Sequence, residues 1–184
     1  MRLENAFEVP APPEQAWALL MDVPRVVPCM PGAELTETVD DTHWKAKVAV
    51  KLGPIALTFA ADVERTEADE AARRVVLATR ARELRGRGAA QATIESSLAP
   101  ADGGGTQVSV VTDLSLSGAA AQFGGAVVKD VAAQLTRQFA ECLQEQLAEP
   151  AAASAVAAPR APLSGLRLLL GALLARFRRL RRSP

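Results

Sequence analysis

Few residues in this 184-residue chain have the chemistry for catalysis or metal binding. It has one histidine, His43, two cysteines, Cys29 and Cys142, and no tyrosine. His43 opens a run in which His43, Lys45, Lys47, Ala49 and Lys51 alternate with Trp44, Ala46, Val48, Val50 and Leu52. A strand of period two puts His43 on the wet lysine face. A base–nucleophile pair or a metal site needs a second group beside it, and the sequence supplies none. The cysteines are far apart and lack zinc-ligand spacing, so they predict no disulfide framework and a reduced, cytosolic protein. Cys29, between prolines, has two readings: a functional thiol at a cavity mouth, or a small apolar residue in a short loop. Cys142, beside Leu143, reads as core or partly exposed, and Asp113 as a solvated strand residue or a turn acceptor. Gly103-Gly104-Gly105 precedes a strand and lacks the lysine of a P-loop. Gly124-Gly125 admits a close approach of ligand or strand, or simply a tight helix start. The expectation is no catalytic set and no metal site.

The elements that position these residues follow from periodicity. Residues 2–9 predict a strand, Glu14 to Met21 a short helix begun by Pro13, and about 23–28 a second one capped by Asp22. Pro28, Pro31 and Gly32 end it. Strands of period two follow over 44–52, 55–64, 73–84, 88–98 and 108–116, with Gly53-Pro54 as a turn, 65–72 as a charged turn and Arg85-Gly86-Arg87 as a bend or bulge. Gly118 to Glu149 has no proline, and Phe123, Val127, Val131, Leu135, Phe139, Leu143 and Leu147 recur about every four residues. That predicts an amphipathic helix of roughly 45 Å. The fold class is α+β, a helix-grip fold: a curved antiparallel sheet of six to seven strands around a long helix, with two short helices after the first strand.

Gly88, Ala90 and Ala92 are small where a packed core favours Val or Leu, which leaves close packing or a cavity. The candidate lining is Trp17, Trp44, Phe59, Ala90, Ala92, Phe123, Val127, Val131, Leu135 and Phe139. An apolar, aromatic lining suits a flat apolar ligand. The same residues also describe an ordinary core, and both readings stand.

The formal charge of zero hides an asymmetry. Residues 1–149 hold 14 basic and 21 acidic residues, and the rest holds seven arginines and no acid. The domains are a ligand-binding body over 1–149, an Ala/Pro-rich linker over 150–162 and a basic amphipathic helix over 163–184. On a helical wheel Leu166, Leu170, Leu173, Leu174 and Phe177 share one apolar arc. Arg167, Arg176, Arg178, Arg179 and Arg182 lie mainly on the remainder, and Arg181 sits under the arc at its end. This pattern predicts a helix lying in an anionic membrane interface rather than spanning it, since its longest uncharged run is too short. A C-terminal helix packing on a partner protein is the competing reading. Nucleic acid is disfavoured by the acidic body and the lack of an aromatic platform. The N-terminus shows no apolar run of a signal peptide.

Several motifs occur in a fixed order: Val27-Pro28-Cys29-Met30-Pro31-Gly32-Ala33, Leu52-Gly53-Pro54-Ile55, Gly86-Arg87-Gly88-Ala89, Gly104-Gly105-Thr106, Asp113, Gly118 and Phe123-Gly124-Gly125. In that order the chain resembles the carbon monoxide dehydrogenase CoxG family of the START-like (SRPBCC) helix-grip superfamily. The resemblance implies a non-catalytic accessory protein. Its implied partner is a molybdenum hydroxylase of the carbon monoxide dehydrogenase type, recruited to the inner face of the cytoplasmic membrane. Its implied ligand is a bound quinone, menaquinone or ubiquinone, that couples the enzyme to the respiratory chain. The alternatives are a general carrier of lipids or other hydrophobic ligands, and a small enzyme of the aromatase/cyclase type.

Overall fold

The computed structural model describes residues 1–52 and 55–148. The chain divides into two units, Met1–Glu149 and Pro150–Pro184, and the second lies outside the described residues. The elements of the first are β1 (Arg2–Val9), α1 (Pro13–Met21), α2 (Val23–Val26), a 3-10 turn (Val27–Cys29), β2 (Ala33–Thr38), β3 (His43–Leu52), β4 (Ile55–Asp69), β5 (Arg74–Glu83), β6 (Gly88–Pro100), β7 (Thr106–Gly118), a second 3-10 turn (Ala119–Phe123) and α3 (Gly124–Ala148). The seven strands form one antiparallel sheet in the order β1-β7-β6-β5-β4-β3-β2. The first and last strands of the body pair because β1 returns along β7, from Arg2 opposite Asp113 to Val9 opposite Thr106.

Alternation gives the sheet one apolar face, and α3 covers it. Two clusters form beneath the helix. One joins Val9, Trp17, Leu19, Cys29, Val75, Leu98, Val108 and Leu143, with Phe7 and Phe139 packed against it. The phenyl rings of Phe7 and Phe139 meet edge to face at 6.1 Å. The other joins Leu57, Phe59, Ala61 and Ala81, flanked by Val50, Ala90, Leu116 and Val131. Each large apolar side chain in these clusters stabilises the fold by about 1.5–3 kcal/mol on burial.

Four features differ from the sequence reading. β2 is an additional strand at the sheet edge, mostly exposed, and so lacks the apolar alternation that marks the others. β4 runs on through the expected charged turn to Asp69, with a register shift between Arg65 and Glu67. Its charges are tolerated because this end of the strand faces solvent. The long helix begins at Gly124 rather than Gly118: Gly118 (φ 67) and Gly124 (φ 73) adopt left-handed conformations on either side of a 3-10 turn. The 25-residue helix is therefore about 37 Å long.

The fourth difference is chemical. Cys29 and Cys142 form a disulfide across 113 residues, joining the first 3-10 turn to α3. This corrects the expectation of two separate reduced thiols. Sequence spacing carried no hint of it, because only the return of α3 over the short helices brings the two together. Gln146 Nε2, one helical turn further, donates to Cys29 Sγ at 3.2 Å and to the Arg25 carbonyl at 3.2 Å, fixing the same junction.

Two further motifs acquire a physical reason. Thr106, fully buried, donates its hydroxyl to the Ala11 carbonyl at 2.6 Å and so locks the β1–α1 connection. Gly88 and Gly118 face each other across β6 and β7. A Cβ on Gly118 would stand 2.4 Å from the Arg87 carbonyl oxygen and 2.6 Å from Gly88 Cα.

Gly118→Ala is therefore expected to lower the unfolding free energy in urea by about 2 kcal/mol or more, combining left-handed strain with overpacking. Gly86→Ala, also at positive φ but with nothing within 4 Å of the added Cβ, is expected to cost only about 1–2 kcal/mol. Equal losses would show that the close approach of β6 and β7 is not the constraint. Reduction of Cys29–Cys142 is expected to destabilise the body by up to about 5 kcal/mol on chain entropy for so long a loop. Urea unfolding with and without dithiothreitol measures it; identical midpoints would exclude the cross-link.

Candidate functional site

The start of α3 follows β7 at a glycine-rich corner. Gly124 turns the chain out of the 3-10 segment, and Gly125 brings no side chain; a Cβ built there meets only Met1 Cε, at 3.7 Å. At this corner lies a hollow of about 350 Å³, open to solvent on one side and lined by Met1, Leu114, Ser115, Leu116, Ala121, Gly124, Gly125 and Val128. The sheet beside it is built from small residues. Ala46, Ala61, Ala81 and Ala90 stand in register across β3 to β6, and the row ends at Leu116 of β7. Ala92 pairs with Leu114 in the next row. The volume is in the range of small-molecule sites. Its lining side chains are apolar apart from Ser115, and none is a titratable side chain.

The residues expected to line a single cavity are distributed. Trp17 and Phe139 belong to the cluster at the C-terminal half of α3. Phe59, Ala90 and Val131 belong to the other cluster. Trp44 is buried on β3, with the Arg65 guanidinium 5.4 Å from its ring centroid. Ala92 and Leu135 are half-buried, and Val127 is exposed. The side chain of Phe123 lies outside the described residues, as do Leu166, Arg167, Leu170, Leu173, Leu174, Arg176, Phe177, Arg178, Arg179, Arg181 and Arg182. Of the ten, Ala90 and Ala92 adjoin the 350 Å³ cavity through their partners Leu116 and Leu114. The lining itself comes from the strand end and helix start. Alternation marked Leu114 and Leu116 as inward-facing, but nothing in the sequence marked the hollow between the end of β7 and the start of α3.

A second hollow, of about 470 Å³, lies on the outer face of the sheet among Asp40, His43, Lys45, Asp62, Glu64 and Arg80. It is the larger of the two hollows, rimmed by these exposed charges and floored by Val39, Trp44, Val63 and Ala78. His43 Nδ1 is 2.9 Å from both Asp40 Oδ1 and Thr42 Oγ1. Both partners meet the same ring nitrogen, so the imidazole cannot relay a proton between them as a triad histidine does. The hydrogen bond that His43 donates to the Asp40 carboxylate raises the His43 pKa. The Thr42 backbone N–H, then His43 and the Thr42 hydroxyl, hold the Asp40 carboxyl below its ordinary range. Among the described residues no group of three or more His, Cys, Asp or Glu is placed to hold a metal. Asp113 is exposed, with Arg2 Nη1 at 3.7 Å.

One buried charge escaped the sequence reading. Glu83 closes the β5–β6 turn: Oε2 accepts the backbone N–H of Arg85 at 2.9 Å and of Arg87 at 3.1 Å, and Oε1 accepts Arg87 Nη2 at 3.1 Å. Arg87 also donates to the Ala56 carbonyl at 3.0 Å, tying the turn to the start of β4. The Arg87 guanidinium, aided by the two N–H donors, outweighs burial and lowers the Glu83 pKa from 4.5 to about 2. The Gly86-Arg87-Gly88 motif is thus the receptor for a carboxylate.

Because the folded pKa lies below the unfolded one, the Glu83 contribution is complete above about pH 4.5 and is lost as pH falls toward 2. Unfolding free energy measured across that window is expected to fall more steeply for the native chain than for Glu83→Gln. Parallel curves would show that the carboxylate is not bound as described.

The family model for the carbon monoxide dehydrogenase subunit CoxG matches residues 6–148. No curated protein matches the chain. Among solved structures, a conserved protein from Geobacillus kaustophilus is 21% identical, with 80% of this chain and 95% of that chain covered and a TM-score of 0.72. The Zhui aromatase/cyclase from Streptomyces sp. R1128 is 15% identical (80% and 93% covered, TM-score 0.57). A START superfamily protein from Mycobacterium smegmatis is 16% identical (79% and 96% covered, TM-score 0.52). At these identities the structural likeness establishes the START-like fold.

Proposed function

The chain belongs to the carbon monoxide dehydrogenase CoxG family, and on that premise we propose that it is a membrane-tethered accessory protein binding a quinone in its apolar cavity. In this reading it recruits a molybdenum hydroxylase of the carbon monoxide dehydrogenase type to the inner face of the cytoplasmic membrane. The quinone, menaquinone or ubiquinone, then couples that enzyme to the respiratory chain. The family and the START-like fold support the coarser part, a ligand-binding accessory protein. The observation that carries the finer part is the cavity under the start of α3. It is lined by Leu114, Leu116 and Val128, and its lining side chains hold no acid–base pair. Such a site offers a flat ring the apolar side chains of Leu114, Leu116 and Val128 and no side-chain acid or base.

The tail supplies the tether in this reading. Its arginines and leucines suit an anionic bilayer surface. No helix among the described residues is long and apolar enough to cross a membrane. The disulfide bears on the compartment, since such bonds persist poorly in a reducing cytosol. Placement on the inner face therefore goes with a Cys29–Cys142 pair that is shielded: Cys29 is almost fully buried.

Native mass spectrometry with solvent extraction, on protein purified from a quinone-containing host, is expected to find a prenylated quinone bound. Val128→Phe, which fills the cavity from α3, is expected to reduce that occupancy at least tenfold without unfolding the body. A protein that carries phospholipid in place of quinone would favour a general lipid carrier. An empty cavity in protein that still co-purifies with a molybdenum enzyme would leave recruitment alone.

A further inference from the structure

The body has two electrically different ends. At one end lie the β2–β3 and β4–β5 turns, with Asp40, Asp41, Glu67, Asp69 and Glu70. Its cations are engaged: Arg73 pairs with Glu14, Arg74 with Glu67 and Glu95, and Arg65 donates to the Asp41 carbonyl. At the other end lie the β3–β4 connection, the β5–β6 turn and the junction of β7 with α3. Lys51, Arg82, Arg85 and Arg87 are exposed there, and Lys47 stands in the same cross-strand row as Arg82. Of these, only Arg87 makes an ion pair among the described residues, with the buried Glu83. Two exposed acids lie nearby, Asp130 on the second turn of α3 and Glu34, which faces Lys47 across β2 and β3.

The same basic end is apolar at its tips. Five large hydrophobic residues are exposed among those described: Met1 (47%), Val39 (49%), Ile55 (36%), Leu84 (57%) and Val127 (38%). Four of them, all but Val39, are at this end. Leu84 sits at the tip of the β5–β6 turn and Ile55 at the start of β4. Met1 and the start of α3 border the cavity. Apolar tips ringed by cations match an anionic lipid surface, where the tips enter the acyl boundary and the cations meet phosphates. An acidic protein would satisfy the cations but leave Ile55 and Leu84 without a reason to protrude.

We propose that this end of the body is itself a membrane-docking surface for anionic phospholipid, distinct from the arginine-rich tail, and that it presents the cavity under α3 to the bilayer. The acidic opposite end reinforces the orientation, because it is repelled by the same surface. A lipid-soluble ligand then passes between bilayer and cavity without crossing water.

The test uses the full chain, with a single added cysteine labelled with the polarity-sensitive dye NBD without reductant, so that Cys29–Cys142 stays paired. On phosphatidylglycerol-rich vesicles, a probe at Leu84→Cys is expected to shift its emission to the blue, and one at Val39→Cys to stay unmoved. Phosphatidylcholine vesicles are expected to give no shift. Combining Lys51→Glu, Arg82→Glu and Arg85→Glu is expected to abolish the Leu84 shift. In a chain with Arg176, Arg178 and Arg179 replaced by glutamate, the same three changes should weaken vesicle binding roughly 100-fold, the worth of three basic residues at such a surface. Circular dichroism confirms that the variants fold; the single substitution Arg85→Glu, at an exposed turn position, serves where the triple variant does not. If the full chain floats with vesicles while the Leu84 probe stays unmoved, or if the Val39 probe shifts as well, the docking surface is refuted and tail tethering stands. A Leu84 shift that survives reversal of the tail arginines sustains the docking surface and removes the tail as the necessary anchor. A chain that binds no anionic vesicle refutes both.

Discussion

One helix has to cover the inner face of a seven-stranded sheet, and it does so unevenly. An antiparallel sheet with alternating side chains has an apolar face that water must be kept from. The 25 residues of α3 are the only long helix available among the described residues. Toward its C-terminal end the helix is fastened: Leu143 is fully buried beside Trp17 and Val108, and Cys142 is bonded to Cys29. Gln144 reaches the Glu8 carbonyl and Gln146 the Arg25 carbonyl. At its N-terminal end the helix begins with two glycines, and the sheet beneath offers alanines. Large side chains close one half, and small ones leave room in the other. The cavity follows from that asymmetry of packing.

The glycine-rich corner makes the asymmetry possible. β6 and β7 approach so closely at Gly88 and Gly118 that neither position has space for a Cβ. The chain then leaves the sheet through two left-handed glycines, Gly118 and Gly124, before the helix can begin. The Glu83–Arg87 clamp holds the neighbouring turn against β4. A buried carboxylate is costly unless fully bonded. Here two backbone N–H groups and a guanidinium satisfy it, and no buried side-chain polar atom among the described residues lacks a partner. The rim around the cavity is thus built from backbone constraints rather than from a hydrophobic plug.

Much of the fold was legible because periodicity is a physical signal. The run from Trp44 to Leu52 had to be a strand with a wet lysine face, and the four-residue recurrence from Val127 to Leu147 had to be a helix. β2 was illegible for the same reason: an edge strand with little buried surface carries no apolar alternation. The ordered motifs pointed to the family, while the roles of their members appeared only in three dimensions. Thr106 reaches Ala11 across 95 residues, and Arg87 binds a glutamate that looked like one more surface charge. Ala90 and Ala92 are small, but neither lines the hollow. Its lining comes from the end of β7 and the start of α3, whose junction turns at the positive-φ glycines Gly118 and Gly124 rather than being set by side-chain type.

Charge arithmetic shows how composition can mislead at two levels. The whole chain sums to zero while its body is acidic and its tail basic. The body in turn is not uniformly acidic. Its carboxylates gather at the turns of one end, where Arg73 and Arg74 are drawn into ion pairs, and exposed cations gather at the other, beside the cavity. A net charge governs solubility and long-range repulsion, but orientation at a surface is governed by the dipole and by what lies within a Debye length of contact. An acidic body would be held off an anionic membrane if its charge were spread evenly. With the charges separated, the proposed docking would repel the body at one end and attract it at the other. Approach and orientation would then be a single event, and the end to arrive would be the one with the hollow between β7 and α3.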